Sequence, residues 1–350
     1  MFGKLKDEKE DNMKYCNYLE IKDETLLRKH IKRYNGGGKN FWNYVQDISQ
    51  TLSFDFLEEF ESKINWNHNN MHITSSDAYI RRFHHKLDWK FLCLFSKLSE
   101  NIIREFQDKV DLYLVWQNQK LSEAFIEEFI DRVNWVSVSR FQTLSEGFIE
   151  KYQDRVSWYE ISSCQKLSEG FIEKYQDRVH WGEISFKQEI SEPFIRKFRD
   201  VVDWGCISEK QKLSEPFILE NKDRVHWWQI AIFQKLSEPF IEKFMYHIPL
   251  SQMCHSQTLS EDFMRKHKDN LNWNEVALYQ CLSQEFVEEF KEKLATACLF
   301  SNKKTLKNLS IDFIVNNLHE VPKNINRDIL KECLSKEDFE LVDSILEVNR

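Results

Sequence analysis

A repeat of 23 residues is the feature of this sequence that most constrains its fold. An element whose commonest form is L-S-E-x-F-I occurs eleven times, each copy 23 residues after the last. Its second position is Ser in every copy, and its fifth is Phe in nine. The copies start at Leu52, Ser75, Leu98, Leu121, Leu144, Leu167, Ile190, Leu213, Leu236, Leu259 and Leu282. Such a period predicts one supersecondary unit stacked on copies of itself.

Each repeat contains two helix patterns. In the copy that starts at Leu167, Ser168 is a favoured N-cap, and Glu169 places negative charge at the positive end of the helix dipole. One apolar stripe of this first helix consists of Phe171, Ile172, Tyr175 and Val179. A second, shorter stripe at i, i+3, i+4 and i+7 consists of Trp181, Ile184, Ser185 and Gln188. The unit is therefore predicted to be a pair of helices of about ten and eight residues.

Helices this short are unstable alone in water, so each pair must pack on its neighbours. The sequence has only 8 Gly and 5 Pro, which also favours helices over a turn-rich β fold. We predict an all-α protein, an α-solenoid of about 11–13 two-helix repeats that forms an elongated superhelix on the order of 100 Å long.

The pattern divides the chain into three parts. Residues 1–41 form an N-terminal segment in which Asp23 to Leu27 hint at a degenerate capping repeat, and Gly36 to Gly38 suggest a flexible joint. Residues 42–294 form the regular array, in which Trp42 lies one residue out of register. Residues 295–350 contain divergent repeats that we expect to cap the array.

An aromatic residue, which we call the anchor, lies fourteen residues after the start of most copies. The anchors are Trp66, Trp89, Trp135, Trp158, Trp181, Trp204, Trp227 and Trp273, with Leu112 and Leu250 in two copies. Four residues after the anchor the side chain is small in most copies, which indicates close helix packing; Trp116 is the exception.

Seven residues after the anchor, Gln recurs in eight consecutive copies. They are Gln119, Gln142, Gln165, Gln188, Gln211, Gln234, Gln257 and Gln280. Two interpretations are open: a code that reads one RNA base per repeat, or a buried amide ladder that satisfies backbone groups between helices. A code must vary to carry information, and this Gln does not, so the ladder is favoured.

Charge and motifs weigh against several functional classes. The net charge of -8 and the isoelectric point of about 5.8 provide no global basic field, so nucleic acid is a disfavoured partner. No glycine-rich phosphate loop or known catalytic motif is present, and the repeated carboxylates lie at capping and solvated positions. We predict a protein that is not an enzyme and uses no cofactor.

The cysteines and histidines give no strong site signal. The eight cysteines are scattered without paired spacing, which indicates free thiols in a reducing compartment. A metal site at His68, His72, His84 and His85 lacks a completing ligand pattern, so none is predicted. The charged N-terminus and the absence of a long apolar run lead us to expect a soluble intracellular protein without a membrane segment.

The variable positions one, two, five and six residues after the anchor form the remaining candidate site. They face away from the inward stripe of the second helix, and several are aromatic, as is typical of protein interfaces. The candidate partner-binding residues are Phe91, Phe95, Tyr113, Phe141, Tyr159, Phe186, Trp228, Phe233 and Tyr279. The alternative is that some of these rings pack on the adjacent repeat.

From Trp158 to Val179 the chain reads W-x-x-I-S-x-x-Q-K-L-S-E-x-F-I-E-x-Y-x-D-R-V. This unit resembles short tandem repeats in proteins of giant DNA viruses of the marseillevirus and pithovirus kind, and the resemblance extends over about residues 42 to 294. It implies a viral origin and expression in the host cell, hence the host cytoplasm, but no activity and no functional residues.

Three functional hypotheses follow. The first is a scaffold that binds a host or viral protein along its variable face, in an oligomeric state that the sequence does not specify. The second is a structural component of a viral particle or factory that self-associates through its divergent ends. The third and weakest is a helical-repeat protein that binds RNA.

Overall fold

The computed structural model describes residues 23–33, 39–48, 51–64, 66, 76–248, 250–321 and 325–348. The regular secondary structure of these ranges is helical, without a strand, which confirms the predicted all-α fold. The chain divides into two compact units, Met1–Leu167 and Ser168–Arg350. In each unit the helices follow one another with regular consecutive packing, as the α-solenoid prediction requires.

The helices of the first unit are Glu24–Arg33, Lys39–Asp47, Phe54–Glu59, Asp77–Phe83, Trp89–Phe95, Glu100–Glu105, Leu112–Asn118, Glu123–Glu128, Trp135–Phe141, Glu146–Lys151 and Trp158–Cys164, with a 3-10 turn at Ile130–Arg132. We call the helix that follows the repeated Ser the A helix, and the one that starts at the anchor the B helix. The glycines at 36 to 38, predicted to form a joint, lie outside the described residues.

The second unit continues the alternation of A and B helices. Its helices are Glu169–Lys174, Trp181–Lys187, Glu192–Lys197, Trp204–Lys210, Glu215–Glu220, Trp227–Phe233, Glu238–Lys243, Leu250–Ser256, Glu261–Lys266, Trp273–Tyr279, Gln284–Glu289, Thr296–Leu299, Lys303–Leu306, Ile311–Asn317, Arg327–Cys333 and Lys336–Val348, with a 3-10 turn at Leu318–Glu320. None of the helices described in either unit has both the length and the apolar composition needed to cross a bilayer.

The A helix starts where the sequence predicts and ends earlier. The Ser168 hydroxyl accepts a hydrogen bond from the backbone N–H of Phe171 at 3.2 Å, so the Ser is the N-cap. The helix stops after six residues, because Tyr175 leaves helical geometry at φ -112° and ψ 30°. The backbone N–H groups of Arg178 and Val179 then both donate to the Tyr175 carbonyl, forming a turn that buries Val179.

Most Trp anchors contact both their own repeat and the next one; Trp135 differs in that its indole N–H has no hydrogen-bond partner. The indole of Trp181 donates to the Gln176 carbonyl, which lies at the end of its own A turn, at 3.0 Å. Its ring packs on Phe198 of the following A helix, with centroids 4.9 Å apart. The same pair of contacts occurs at Trp89, which donates to His84 at 2.9 Å and packs on Phe106 at 4.9 Å.

The recurring Gln forms the predicted amide ladder in the first unit. The Gln142 amide donates to the carbonyls of Trp116 and Gln119, both at 2.8 Å, and its carbonyl accepts from the Leu121 N–H at 3.0 Å. Gln119 and Gln165 make the equivalent three bonds. Each side chain therefore satisfies two acceptors of the preceding repeat and one donor at the start of its own.

The second unit has the same ladder and extends it into the divergent C-terminal region. Gln211, Gln234, Gln257 and Gln280 each make the three bonds. In the next repeat Asn302 donates to the Gln280 carbonyl at 2.6 Å, and the Thr305 hydroxyl accepts from the Leu282 N–H at 3.2 Å. Two shorter side chains thus together make the hydrogen bonds that a single Gln makes in the other repeats.

The small residue in the B helix does more than allow close packing. The Ser185 hydroxyl donates to the Trp181 carbonyl at 2.7 Å and accepts from the Asp203 N–H of the next repeat at 2.9 Å. Ser208 makes the same pair of bonds, to Trp204 and from His226. The hydroxyl therefore bridges consecutive B helices, a role that the size of the residue does not reveal.

A second ladder is formed by the Glu of the L-S-E element. The Glu100 carboxylate accepts from the Ser122 N–H of the next repeat at 2.6 Å, and Glu192 accepts from Ser214 at 2.6 Å. Sequence analysis assigned this Glu only to the helix dipole. Glu24 makes the same bond to the Ser53 N–H, so the helix at Glu24–Arg33 is joined to the array by the same kind of contact.

This carboxylate ladder leads to an acid-dependence prediction. Burial opposes ionisation of Glu100, but hydrogen bonds from the Ser122 N–H and hydroxyl, with the Arg104 guanidinium, hold the pKa of Glu100 below its usual 4.5. A folded-state pKa that is lowered contributes stability above the unfolded-state value, and this stability is lost as the pH falls through the folded value. We expect the urea midpoint to fall below about pH 4.5.

The variant Glu100→Gln is the matched control, because an amide oxygen accepts the same bond without titrating. The chain already contains this arrangement, since Gln284 accepts from the Ser310 N–H at 2.9 Å. The difference in midpoint between the native protein and Glu100→Gln should shrink on acidification. A difference that stays constant from pH 7 to pH 3 would contradict the assignment.

Candidate partner-binding surface

The B helices present one continuous set of variable positions in each unit. Consecutive B helices pack side by side, and the Gln ladder fixes one against the next. Equivalent positions on successive helices therefore lie in rows. We call the surface formed by the residues one, two, five and six positions after the anchor the outer B face.

In the first unit the aromatic candidates lie exposed on this face, with one exception. Phe95 is 70% exposed, and Tyr113, Phe141 and Tyr159 are exposed by about half. Phe91 is half-buried against Phe95, with ring centroids 4.8 Å apart. Sequence analysis also omitted Val136, which is 56% exposed in the row of Tyr113 and Tyr159, because it considered aromatic residues only.

The second unit exposes the other four candidate rings. Phe186, Trp228, Phe233 and Tyr279 have between 36% and 51% of their surface accessible. The Lys210 ammonium lies 4.7 Å from the Phe186 ring and 6.0 Å from the Phe233 ring, so it lies between rings of two repeats that flank its own. This contact orders part of the face without burying it.

The A side of the first unit carries a different kind of feature, a cleft of about 280 Å³. Most of its polar lining is engaged within the protein, because the Arg104 guanidinium binds Glu128 at 2.6 Å and Arg132 donates to Gln107 at 3.2 Å. The cleft therefore repeats the cross-repeat ion pairing of the A helices, as in Arg196 with Glu220 at 2.8 Å.

The histidines considered as metal ligands are not gathered into one site. His68 and His72 lie outside the described residues. His85 contacts Glu61 at 3.1 Å, whereas His84 contacts the Lys109 ammonium at 2.9 Å. Burial lowers the pKa of His84, and the Lys109 charge lowers it further. In the part of the chain that the structure describes, no group of three or more His, Cys, Asp or Glu residues is arranged to hold a metal ion.

The described cysteines are free thiols, as predicted. Burial, together with the charge of the N-cap Asp203, raises the pKa of the Cys206 thiol to about 11. Burial also raises the pKa of Cys93 and of Cys254. These groups stay protonated at neutral pH and are poor nucleophiles there.

Comparison of the chain with protein-family models, with curated proteins and with solved structures found no match in any of the three. Functional inference therefore depends on the chain's own surface. The outer B face offers exposed rings on a hydrogen-bonded support, an arrangement suited to binding.

Proposed function

We propose that this protein is a non-enzymatic helical-repeat scaffold that binds another protein along the outer B face. The observation that carries the proposal is the exposure of eight aromatic candidates on this face. Large apolar side chains that are aligned and exposed are typical of protein interfaces, where aromatic residues supply most of the binding energy.

The constant and the variable residues of the repeat have different roles, which supports this proposal. The residues common to the copies are engaged internally: Gln142 and Ser185 bond the preceding or following repeat, and the carboxylate of Glu100 bonds the next backbone. The variable residues are those on the outer B face. Repeat proteins commonly use such a constant interior to present a variable binding surface.

The proposal includes a place of action. The resemblance of the repeat unit to repeats in giant DNA viruses supports a viral origin and a partner, host or viral, within the infected cell. Residues 42–294 bear this resemblance, and the outer B face lies within them.

Affinity capture with a surface variant tests the binding function. In the variant, Phe141, Phe186, Trp228 and Phe233 are replaced by Ser. We expect one defined partner to be captured from host lysate by the intact protein and lost with the variant. Exposed substitutions usually change stability by about 0.5 kcal/mol or less each, so the helical content should persist, as circular dichroism would check.

A second variant with four exposed apolar residues away from the outer B face provides the control. It replaces Val201, Leu219, Tyr246 and Leu341, which are at least 41% exposed, by Ser. This control variant should retain the partner. Equal capture by both variants, or recovery of no partner, would contradict the proposal; recovery of the chain alone would favour the self-associating structural component.

A further inference from the structure

The first unit separates its charges between the two helices of the repeat. We define a B segment as the residues from the anchor to the eighth residue after it. In the four described B segments, 89–97, 112–120, 135–143 and 158–166, five residues are basic and one is acidic. In the three A segments between them, eleven are acidic and five basic. A protein with a net charge of -8 thus carries a basic surface beside its exposed rings.

The positive charges of these B segments are available to a partner. Lys90, Lys97, Lys120, Arg140 and Lys166 are all exposed. The single acidic residue, Glu160, is buried and is an ion-pair partner of Arg140 at 3.8 Å. Arg140 also lies 5.3 Å from the centre of the Phe141 ring, so charge and ring belong to one surface.

Three of the lysines form a row along one edge of the outer B face. Lys97, Lys120 and Lys166 each come directly after the C-cap residue of their B helix. Because successive B helices pack side by side, Lys97 and Lys120 lie at the spacing of packed helices, about 8–10 Å. Thr143 holds the equivalent position in the next repeat, so Lys166 lies at about twice that spacing from Lys120. The row runs along the stacking direction, and Lys97 comes two residues after the exposed Phe95.

The B segments of the second unit lack this excess. They contain four basic residues, Lys187, Lys210, Lys212 and Lys235, and four acidic residues, Glu183, Glu189, Glu209 and Glu275. Lys210 also contacts Glu209 at 2.6 Å. The basic surface is therefore a property of the first unit, although both units display exposed rings.

We infer that the outer B face of the first unit, with its lysine row, binds an extended acidic peptide segment of a partner protein. This inference rests on the proposed scaffold function and names the chemistry of the partner. Carboxylates of the segment pair with the lysine row, while its apolar side chains pack on rings such as Tyr113 and Tyr159. Charge complementarity of this kind favours one class of partner and accelerates association.

Spacing favours a peptide over a nucleic acid. Three residues of an extended chain span about 10 Å, so one carboxylate in every three residues matches the spacing of Lys97 and Lys120. A nucleic acid carries a phosphate at every nucleotide and would present several charges over that distance.

Fluorescence anisotropy with the full chain tests the inference. The probe is a labelled peptide of about four Asp-Phe-Ser triplets, which carries one carboxylate in every three residues and is long enough to cross the four B helices. The comparison probes are the same peptide with Lys at every acidic position and an oligouridine of similar length. We expect the acidic peptide to bind most tightly, and its affinity to fall as salt rises from 0.05 to about 0.3 M.

Two charge-reversal variants localise the binding. Lys97→Glu with Lys120→Glu should weaken binding of the acidic peptide by about tenfold or more. Lys212→Glu with Lys235→Glu changes the net charge by the same amount, at equivalent exposed positions of the second unit, and should leave the affinity within about twofold.

The outcomes separate this inference from the proposed function. Tighter binding of oligouridine, no preference for the acidic peptide, or equal weakening by both variants would overturn the acidic-peptide inference. If the aromatic variant still loses a captured partner in that case, the scaffold function stands and the partner is of different chemistry. If the partner is also retained, both proposals fail.

Discussion

Gln234→Leu will lower the free energy of unfolding by about 3–5 kcal/mol, since it leaves three buried backbone groups without their partner. The Gln234 amide donates to the carbonyls of Ser208 and Gln211 at 3.0 and 2.8 Å, and its oxygen accepts from the Leu213 N–H at 3.0 Å. Leu has a similar volume, so the loss comes from hydrogen bonding rather than from a cavity. Urea unfolding followed by circular dichroism measures it.

Gln229→Leu is the matched control on the same B helix. Gln229 is half-exposed on the outer B face, so the same chemical change there should cost about 0.5 kcal/mol or less. Hydrogen exchange should show early loss of protection at Leu213 in Gln234→Leu alone. Equal destabilisation by the two variants, or unchanged protection at Leu213, would show that the ladder is not a major source of stability.

Gln234→Glu adds a test with a pH signature. An ionised carboxylate accepts from Leu213 but cannot donate to the two carbonyls, so its pKa in the folded protein is raised. A raised folded-state pKa favours folding of the protonated form. Stability of Gln234→Glu should therefore improve as the pH falls from 8 to about 5, a range in which Gln234→Leu is flat.

The ladder also shows what the sequence could predict about this fold. An invariant Gln at one face of a short helix indicates a repeated amide role, and its spacing places it opposite the preceding repeat. The replacement by Asn302 and Thr305 was not predictable from that pattern, because the two side chains stand at different spacings from the anchor position. Likewise, the small size of Ser185 indicates packing but not its bond to Asp203, eighteen residues later.

Helix ends and surface positions were likewise predictable where they depend on local sequence, and unpredictable where they depend on contacts outside that sequence. The Ser168 cap was predictable because capping is local, whereas the early end of that helix at Lys174 depends on the turn around Tyr175. Eight of the nine candidate rings are exposed, as helical periodicity predicts. The prediction was wrong for the position two residues after the anchor, where Phe91 is half-buried and Ser137 and Glu160 are buried. The periodicity of a single helix does not show which positions the adjacent B helices cover, as Arg140 of the preceding repeat does at Glu160.

Trp116→Ser is expected to lower the free energy of unfolding by about 3–5 kcal/mol. Trp116 occupies the position of the small residue in its repeat and is 1% exposed. Its indole donates to the Arg132 carbonyl at 3.3 Å, and its ring meets Phe125 with centroids 6.2 Å apart. In this repeat the anchor is Leu112, which is half-buried. The large ring, which other repeats carry at the anchor, therefore lies one turn later on the helix.

Adding Leu112→Trp to Trp116→Ser should restore more than about half of that loss, because the double variant recreates the common repeat. The partners of a normal anchor are present: Gln107 lies five residues before position 112, and Phe129 is placed like Phe198 relative to Trp181. A Ser at 116 can bridge to the Asn134 N–H, as Ser185 bridges to Asp203.

Leu112→Trp alone completes the double-mutant cycle. With Trp116 still in place, a second indole overpacks the same space and should cost about 1–3 kcal/mol. Each substitution then lowers the free energy of unfolding when made alone. Together they should compensate, so that the loss in the double variant is smaller than the sum of the two single losses. Additive losses in the double variant would mean that Trp116 and the ordinary anchor fill different spaces. Compensation would show that the two positions are alternative sites for one ring, which explains how the array accepts a Leu anchor without losing the contact between repeats.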